Sequence, residues 1–351
     1  MTQTLYDAGE KPLRFLRYFI MANYSSDEKL REDEIYGWLS SHAKETGHEY
    51  DPVGFANKLK AAATAYAYFL EGRGPDGKHV RAVANSRKLG GSAIKQHFIL
   101  YLAGRHLSSP MFARLAREIE NLLCVWLIAG VPAKDYERQI AKAAKKLQSV
   151  SAQENLDAFV SEFITSQKRR HRDDFHRWMA TMHTWDLRQY RLRYLLAKIT
   201  QHVEIEARGS DGLADLGHFL DTRNDIEHIY PQTPTEAASK EFGDIGEDED
   251  IVERLGNLLW VEQAINRAAG NKAYSKKLPH YDSSSFILAR SQGAIKLNGV
   301  NDQITQTVKR LRPEPEWNVE AIERRQNWMA DRAMKVWDVP TKADITDEVV
   351  D

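Results

Sequence analysis

Cysteine is almost absent: one residue, Cys124, is all the thiol chemistry that the 351-residue chain offers. An intrachain disulfide is impossible and cysteine-based zinc sites are excluded. Cys124 lies in the apolar run LLCVWLIA (122–129), where a buried, inert thiol is expected rather than a nucleophile. An excess of charge of one sign is lacking too. The 49 Lys and Arg face 50 Asp and Glu, so any basic surface for nucleic acid has to be local. The apolar run falls short of the roughly 20 residues needed to span a bilayer. The opening MTQTLYDAGEKP has no secretory pattern, and a soluble, cytoplasmic protein is expected. No phosphate loop of the G-x-x-x-x-G-K-[ST] type occurs. GRGPDGKHV (72–80) has the wrong spacing and is interrupted by Pro75. Nucleotide hydrolysis by this chain alone is therefore not expected.

What is present is mostly helix with explicit punctuation. LRFLRYFIMANY (13–24) has an apolar face, and the segment from Asp51 has an N-cap followed by Pro52 at the first helical position and stops at Gly72. Segments 92–104 and 109–130 repeat the pattern, the second opening on Ser109 and Pro110, and 132–150 is amphipathic and basic. Ser151 and Glu154 form a capping-box signature that starts a new helix. A domain boundary is placed near residue 150, giving a helical domain over 1–150 and a second domain over 151–351. Residues 185–209 predict one long helix with Leu192, Leu195, Leu196 and Ile199 on its apolar face. Its arginines, Arg188, Arg191 and Arg193, are expected on a solvated face, and Trp178, Trp185 and Tyr190 in a buried cluster rather than around a flipped base.

After residue 210 the texture changes. NDIEHIYP (224–231) predicts a strand over about 222–229 that Pro231 ends, followed by loop that includes the acidic run EDEDIVE (247–253). LGNLLWVEQAINRAAGNK (255–272) predicts a strand around 257–261 turning directly into a helix that ends near Gly270. A closing helix over about 314–337 is expected to bury Trp317, Ile322, Trp328 and Met334 or their near neighbours.

A strand ending in Glu227-His228, a loop, a second strand with Asn257 and a helix carrying Asn266 resemble the ββα-metal, or HNH (His-Me finger), nuclease motif. A histidine with a reference pKa of about 6.5 can take a proton from water at neutral pH. A divalent cation can hold the phosphate and the leaving oxygen. On this reading His228 is the general base and Glu227 and Asn266 are ligands of Mg²⁺ or Mn²⁺, Glu227 acting directly or through water. Asn257 orients the loop or the histidine, whose other ring nitrogen is expected on a backbone carbonyl. Arg267, Lys272, Lys276 and Lys277 are candidate contacts to DNA phosphate.

The Glu-His-Ile-x-Pro-Gln segment (227–232), Leu-Gly-Asn-Leu (255–258), Asn266 with Gly270-Asn271-Lys272, and the Lys277-x-x-x-Tyr281 pair are similar to the C-terminal nuclease region of GmrSD-type modification-dependent restriction enzymes and the related SspE proteins. The W-x-x-E-A-I-x-x-R pattern (317–325) resembles that family's final helix. This likeness spans roughly 155–340. The first 150 residues look like the helical region that links a ParB-like nucleotidase domain to the nuclease in fused relatives, a domain that is missing here. The resemblance implies a mainly α protein whose C-terminal half embeds a ββα core at about 220–282. It implies a metal-dependent endonuclease acting on double-stranded, modified or foreign DNA in anti-phage restriction, with a ParB-like nucleotidase as partner. The alternative is a catalytically silent DNA-binding or regulatory subunit of such a nucleotidase.

Overall fold

The computed structural model describes residues 2–24, 30–209, 215–245, 250–293, 303–311 and 313–341. The chain falls into two compact units, Met1–Arg172 and Asp173–Asp351. The first is helical, with principal helices at Pro12–Asn23, Pro52–Leu70, Ser109–Ile128 and Ala133–Gln148. Asp51 caps its helix as the sequence implies, its carboxylate accepting from the Gly54 amide. Phe15, Phe19, Tyr66, Phe69 and Tyr101 fill the core, and Cys124 is buried. Two local expectations fail. The helix expected from residue 92 begins only at Phe98, after turns that follow Gly91. The Ser151–Glu154 box does not form, because the next helix starts at Gln153 with Ala152 at its N-cap. That helix also belongs to the first unit: Leu156, Phe159, Val160 and Ile164 join its core. The division at Arg172 thus lies beyond the boundary read from the capping signal near 150, since a helix start says nothing about which core takes the apolar face.

In the second unit we number the elements α1 (Gln189–Arg208), β1 (Asn224–His228), β2 (Leu258–Glu262), α2 (Gln263–Ala269), α3 (Tyr274–Tyr281) and α4 (Val319–Val336). The strands pair antiparallel in the register Asn224–Glu262 to His228–Leu258. Their positions, and the passage of β2 straight into α2, are those the sequence predicts. Two strands alone are marginal in water, so the hairpin depends on what covers it. Leu258, Leu259, Trp260 and Val261 are all buried. Arg193 of α1 donates to Asp225 at 3.2 Å and to the Asn224 carbonyl at 2.8 Å, and lies 4.8 Å over the Trp260 ring. It is a strut for β1 rather than part of a solvated face. Arg188 does stand at the surface. Trp178 and Trp185 are 42% and 55% exposed, so the expected buried aromatic cluster is absent. Asn318 caps α4 through the Ala321 amide. Trp317, Ile322 and Met334 are buried as expected, whereas Trp328 yields its place to Met329.

The turn before β2 packs closely against α4. A Cβ on Gly256 would fall 2.2 Å from the Ile322 carbonyl oxygen and 2.9 Å from the Gln326 amide nitrogen, both backbone atoms. The Gly256 amide donates to the Gln326 side chain at 2.6 Å. Arg325 donates to the carbonyls of Gly256 and Leu258 at 2.7 and 2.6 Å. Among the described residues no helix is long and apolar enough to cross a membrane. Because the clash involves backbone that cannot rotate away, Gly256→Ala is expected to destabilise this unit by about 3 kcal/mol. Chemical denaturation compared with Ala264→Gly, an exposed change in α2, checks this, and equal midpoints would refute the close-packing account.

Candidate active site

Glu227 and His228 are neighbours on a strand, and successive side chains on a strand point to opposite faces. Glu227 goes inward and is 3% exposed. Its Oε1 accepts from Lys277 Nζ at 2.6 Å and from the Tyr281 hydroxyl at 2.8 Å. Lys277 and Tyr281 are four residues apart on α3 and therefore share its inner face. Lys277 also donates to the His228 carbonyl at 2.7 Å, tying the end of β1 to the same cation. Burial pushes the Glu227 carboxyl up and the Lys277 ammonium down, and their mutual attraction resists both shifts. Burial beside Glu227 holds the Tyr281 hydroxyl protonated, which keeps it a donor. This corrects two expectations. Lys277 is completely buried and cannot reach DNA phosphate. Glu227 Oε1 serves as the counter-ion of an ammonium, so the carboxylate is not the wholly open ligand expected.

His228 points the other way. Its Nε2 is enclosed and lies 3.5 Å from Glu253 Oε2, without the alignment of a hydrogen bond. Nδ1 is not enclosed in this way, and no described residue hydrogen-bonds to it. The partner of the histidine is thus a carboxylate, not the backbone carbonyl expected. Glu253 is itself fixed, with Oε2 accepting from Thr184 at 2.5 Å and Oε1 from Gln232 at 2.6 Å. Burial lowers the affinity of His228 for a proton and Glu253 opposes that, leaving the imidazole below its ordinary value and neutral at pH 7. Burial pushes the Glu253 carboxyl up, but Thr184, Gln232 and His228 together hold it below the usual range. Glu253 closes the acidic run that reads as loop, and nothing local in sequence distinguishes it from its neighbours.

Asn257 is wholly buried. Its Oδ1 accepts from the Tyr230 amide at 2.8 Å and the Trp317 indole at 3.0 Å, while Nδ2 donates to the carbonyls of Tyr230 and Val252, each at 2.8 Å. It therefore anchors the loop that leaves His228 and does not touch a substrate. Asn266, on α2, donates from Nδ2 to the Ile226 carbonyl at 3.1 Å and, weakly, to Asp225 at 3.4 Å. These bonds orient the amide and leave Oδ1 with no hydrogen bond from a described residue. Arg267, Lys272 and Lys276 are exposed, Arg267 resting on Gln263 and Lys272 on the Ala268 carbonyl. Among the described residues no group of three acidic, histidine or cysteine side chains converges on a point. Asn266 Oδ1 and Glu227 Oε2 are the two side-chain oxygens of the expected pair that accept no hydrogen bond from a described residue.

The covered hairpin thus presents a histidine that faces a carboxylate and, on the helix that follows β2, an amide oriented by the backbone of β1. Comparison with protein families finds a likeness, and it falls on this unit. Residues 169–332 match the family described as GmrSD restriction endonucleases, C-terminal domain. The matched span runs from the start of the second unit into α4, as the likeness read from the motifs implies. No curated protein matches the chain.

Removing one partner of a buried ion pair strands the other, at about 3–5 kcal/mol. Lys277→Met is expected to destabilise the second unit by that order, and Glu227→Gln added to it to recover part of the loss. Equilibrium denaturation of the four-variant cycle tests the pairing, and strictly additive effects would contradict it.

Proposed function

We propose that the C-terminal unit is a DNA endonuclease in which His228 is the general base. The observation that carries this reading is the imidazole, its proton affinity lowered by burial and its Nε2 facing Glu253 at 3.5 Å, inside a segment that matches the C-terminal domain of GmrSD restriction endonucleases. With Nε2 facing a carboxylate, the proton of the neutral ring belongs there and Nδ1 carries the lone pair. A water beside Nδ1 gives up its proton as its oxygen attacks phosphorus, the P–O bond to the leaving oxygen breaks, and His228 is left protonated against Glu253. Glu253 is a positioning residue that stabilises the charge formed. Arg267, Lys272 and Lys276 are placed to meet backbone phosphates as surface cations. Mg²⁺ or Mn²⁺ touching Asn266 Oδ1 would, when bound, neutralise charge on the scissile phosphate and leaving oxygen. The ββα arrangement of strand-end histidine and helix asparagine supports an HNH-type assignment.

The likeness to a restriction-endonuclease domain supports restriction as the biological setting, and we extend it to foreign or modified DNA in the cytoplasm. The first unit, which lies almost wholly outside the matched span, is the part we assign to regulation or to docking of a ParB-like nucleotidase.

Purified protein incubated with supercoiled plasmid and Mg²⁺ or Mn²⁺ should nick or linearise it, and EDTA should abolish the reaction. His228→Ala should slow cleavage by at least about 10²-fold without loss of folding. Cleavage retained in that variant would remove His228 from the chemistry. Glu253 raises the proton affinity of His228, so Glu253→Gln lowers it further. The base works when neutral, so the acid limb of the rate profile should move to lower pH. The plateau should fall by about tenfold, as for loss of an orienting partner. An unmoved limb with an unchanged plateau would contradict the positioning role.

A further inference from the structure

The turn that supplies Thr184 to Glu253 also carries an exposed aromatic surface with no structural partner to explain it. Residues Thr184–Asp186 form one 3₁₀ turn between the helix Arg172–Thr181 and α1. It is fastened to the active-site loop at three points. The Leu255 amide donates to the Met182 carbonyl at 2.9 Å, His183 bridges to Arg254, and Thr184 donates to Glu253. Asp186 closes the turn by accepting from the His183 amide at 2.8 Å. The turn is therefore rigid with respect to His228. Trp185 stands on it 55% exposed, stacked on one face by the His183 ring at 4.7 Å and 6° between planes. Three residues beyond Trp185, Arg188 is exposed at the N-cap of α1, and its guanidinium meets no hydrogen-bonding or ion-pair partner among the described residues.

Exposing more than half of an indole costs hydrophobic free energy that folding does not recover. Backing it with a parallel ring fixes its orientation without covering its outer face. A rigid aromatic plane beside a free guanidinium is the chemistry used to hold a nucleic-acid strand, a base stacking on the ring and the next phosphate taking the cation. The residue before it, Thr184, bonds the carboxylate that faces His228, which ties the platform to the proposed cleavage centre through Glu253. An aromatic wedge against an opened base step also lets a duplex bend toward the protein.

We propose that His183–Arg188 is a strand-gripping platform of the endonuclease, with Trp185 stacking on a DNA base unstacked beside the scissile phosphate and Arg188 holding an adjacent phosphate. The proposal rests on the endonuclease reading and adds to it a preference for DNA whose bases are already unpaired.

The test measures binding of the full chain, in the His228→Ala background so that DNA stays intact, to a labelled duplex and to the same duplex with a central mismatched bubble. The bubble should bind more tightly. Trp185→Ala should weaken bubble binding about fivefold to a hundredfold, the range for loss of one stacked base, and remove the preference, while Trp185→Phe keeps most of both. Arg188→Ala should lower the slope of log affinity against log salt by about one. Thermal melting identifies any variant that fails to fold, and Trp185→Phe carries the test if Trp185→Ala does. Unchanged bubble binding in folded Trp185→Ala, or equal losses in the Ala and Phe variants, overturns the platform and leaves the endonuclease intact if the wild-type chain still nicks plasmid. A chain that neither binds nor cuts DNA overturns both.

Discussion

Two adjacent residues on a β-strand cannot share a face, and the active-site end of this protein is organised around that constraint. Placing His228 where it can meet a substrate forces Glu227 into the interior. A carboxylate buried there is costly unless it is paired and hydrogen-bonded. Lys277 and Tyr281 meet that need from α3, one helical turn apart. The same ammonium grips the His228 carbonyl, so the group that compensates the buried charge also fixes the backbone carrying the base. Asn257 holds the chain on the far side of His228 with four hydrogen bonds. Gly256 brings α4 close enough for Trp317 and Arg325 to reach this turn. The Glu-His, Leu-Gly-Asn and Lys-x-x-x-Tyr elements are parts of one support rather than separate functional motifs.

That division explains what was legible in sequence. Strand and helix positions follow from local signals: a short, continuous apolar run for β2, Pro231 as a stop, Asp51 and Pro52 as a start. The role of Lys277 does not, because a lysine in a charged helix looks the same whether it faces solvent or a buried carboxylate. Glu253 was hidden for the same reason, since its meaning comes from Thr184 and Gln232, remote in the chain and brought together only by the fold. Trp185 was read as core because large aromatics usually are, and its exposure is a property of the tertiary packing. The capping signal at Ser151 failed at the level of one hydrogen bond, and the unit boundary failed because Leu156 and Ile164 pack backward.

The electrostatics of the site separate two carboxylates by environment. Glu227 is sealed with a cation and supports structure. Glu253 is half-buried, held by two uncharged donors, and has capacity left to respond when His228 takes up a proton. Such a pair at the rim of a hairpin needs no rearrangement of the core during turnover.

The most direct test of this account is the tautomer of His228, read from ¹⁵N shifts of its ring nitrogens in histidine-labelled protein at a pH above its titration. The account predicts the proton on Nε2, facing Glu253, with Nδ1 bare, and a loss of that bias in Glu253→Gln. A proton on Nδ1 would leave the proposed base nitrogen without its lone pair and contradict the account.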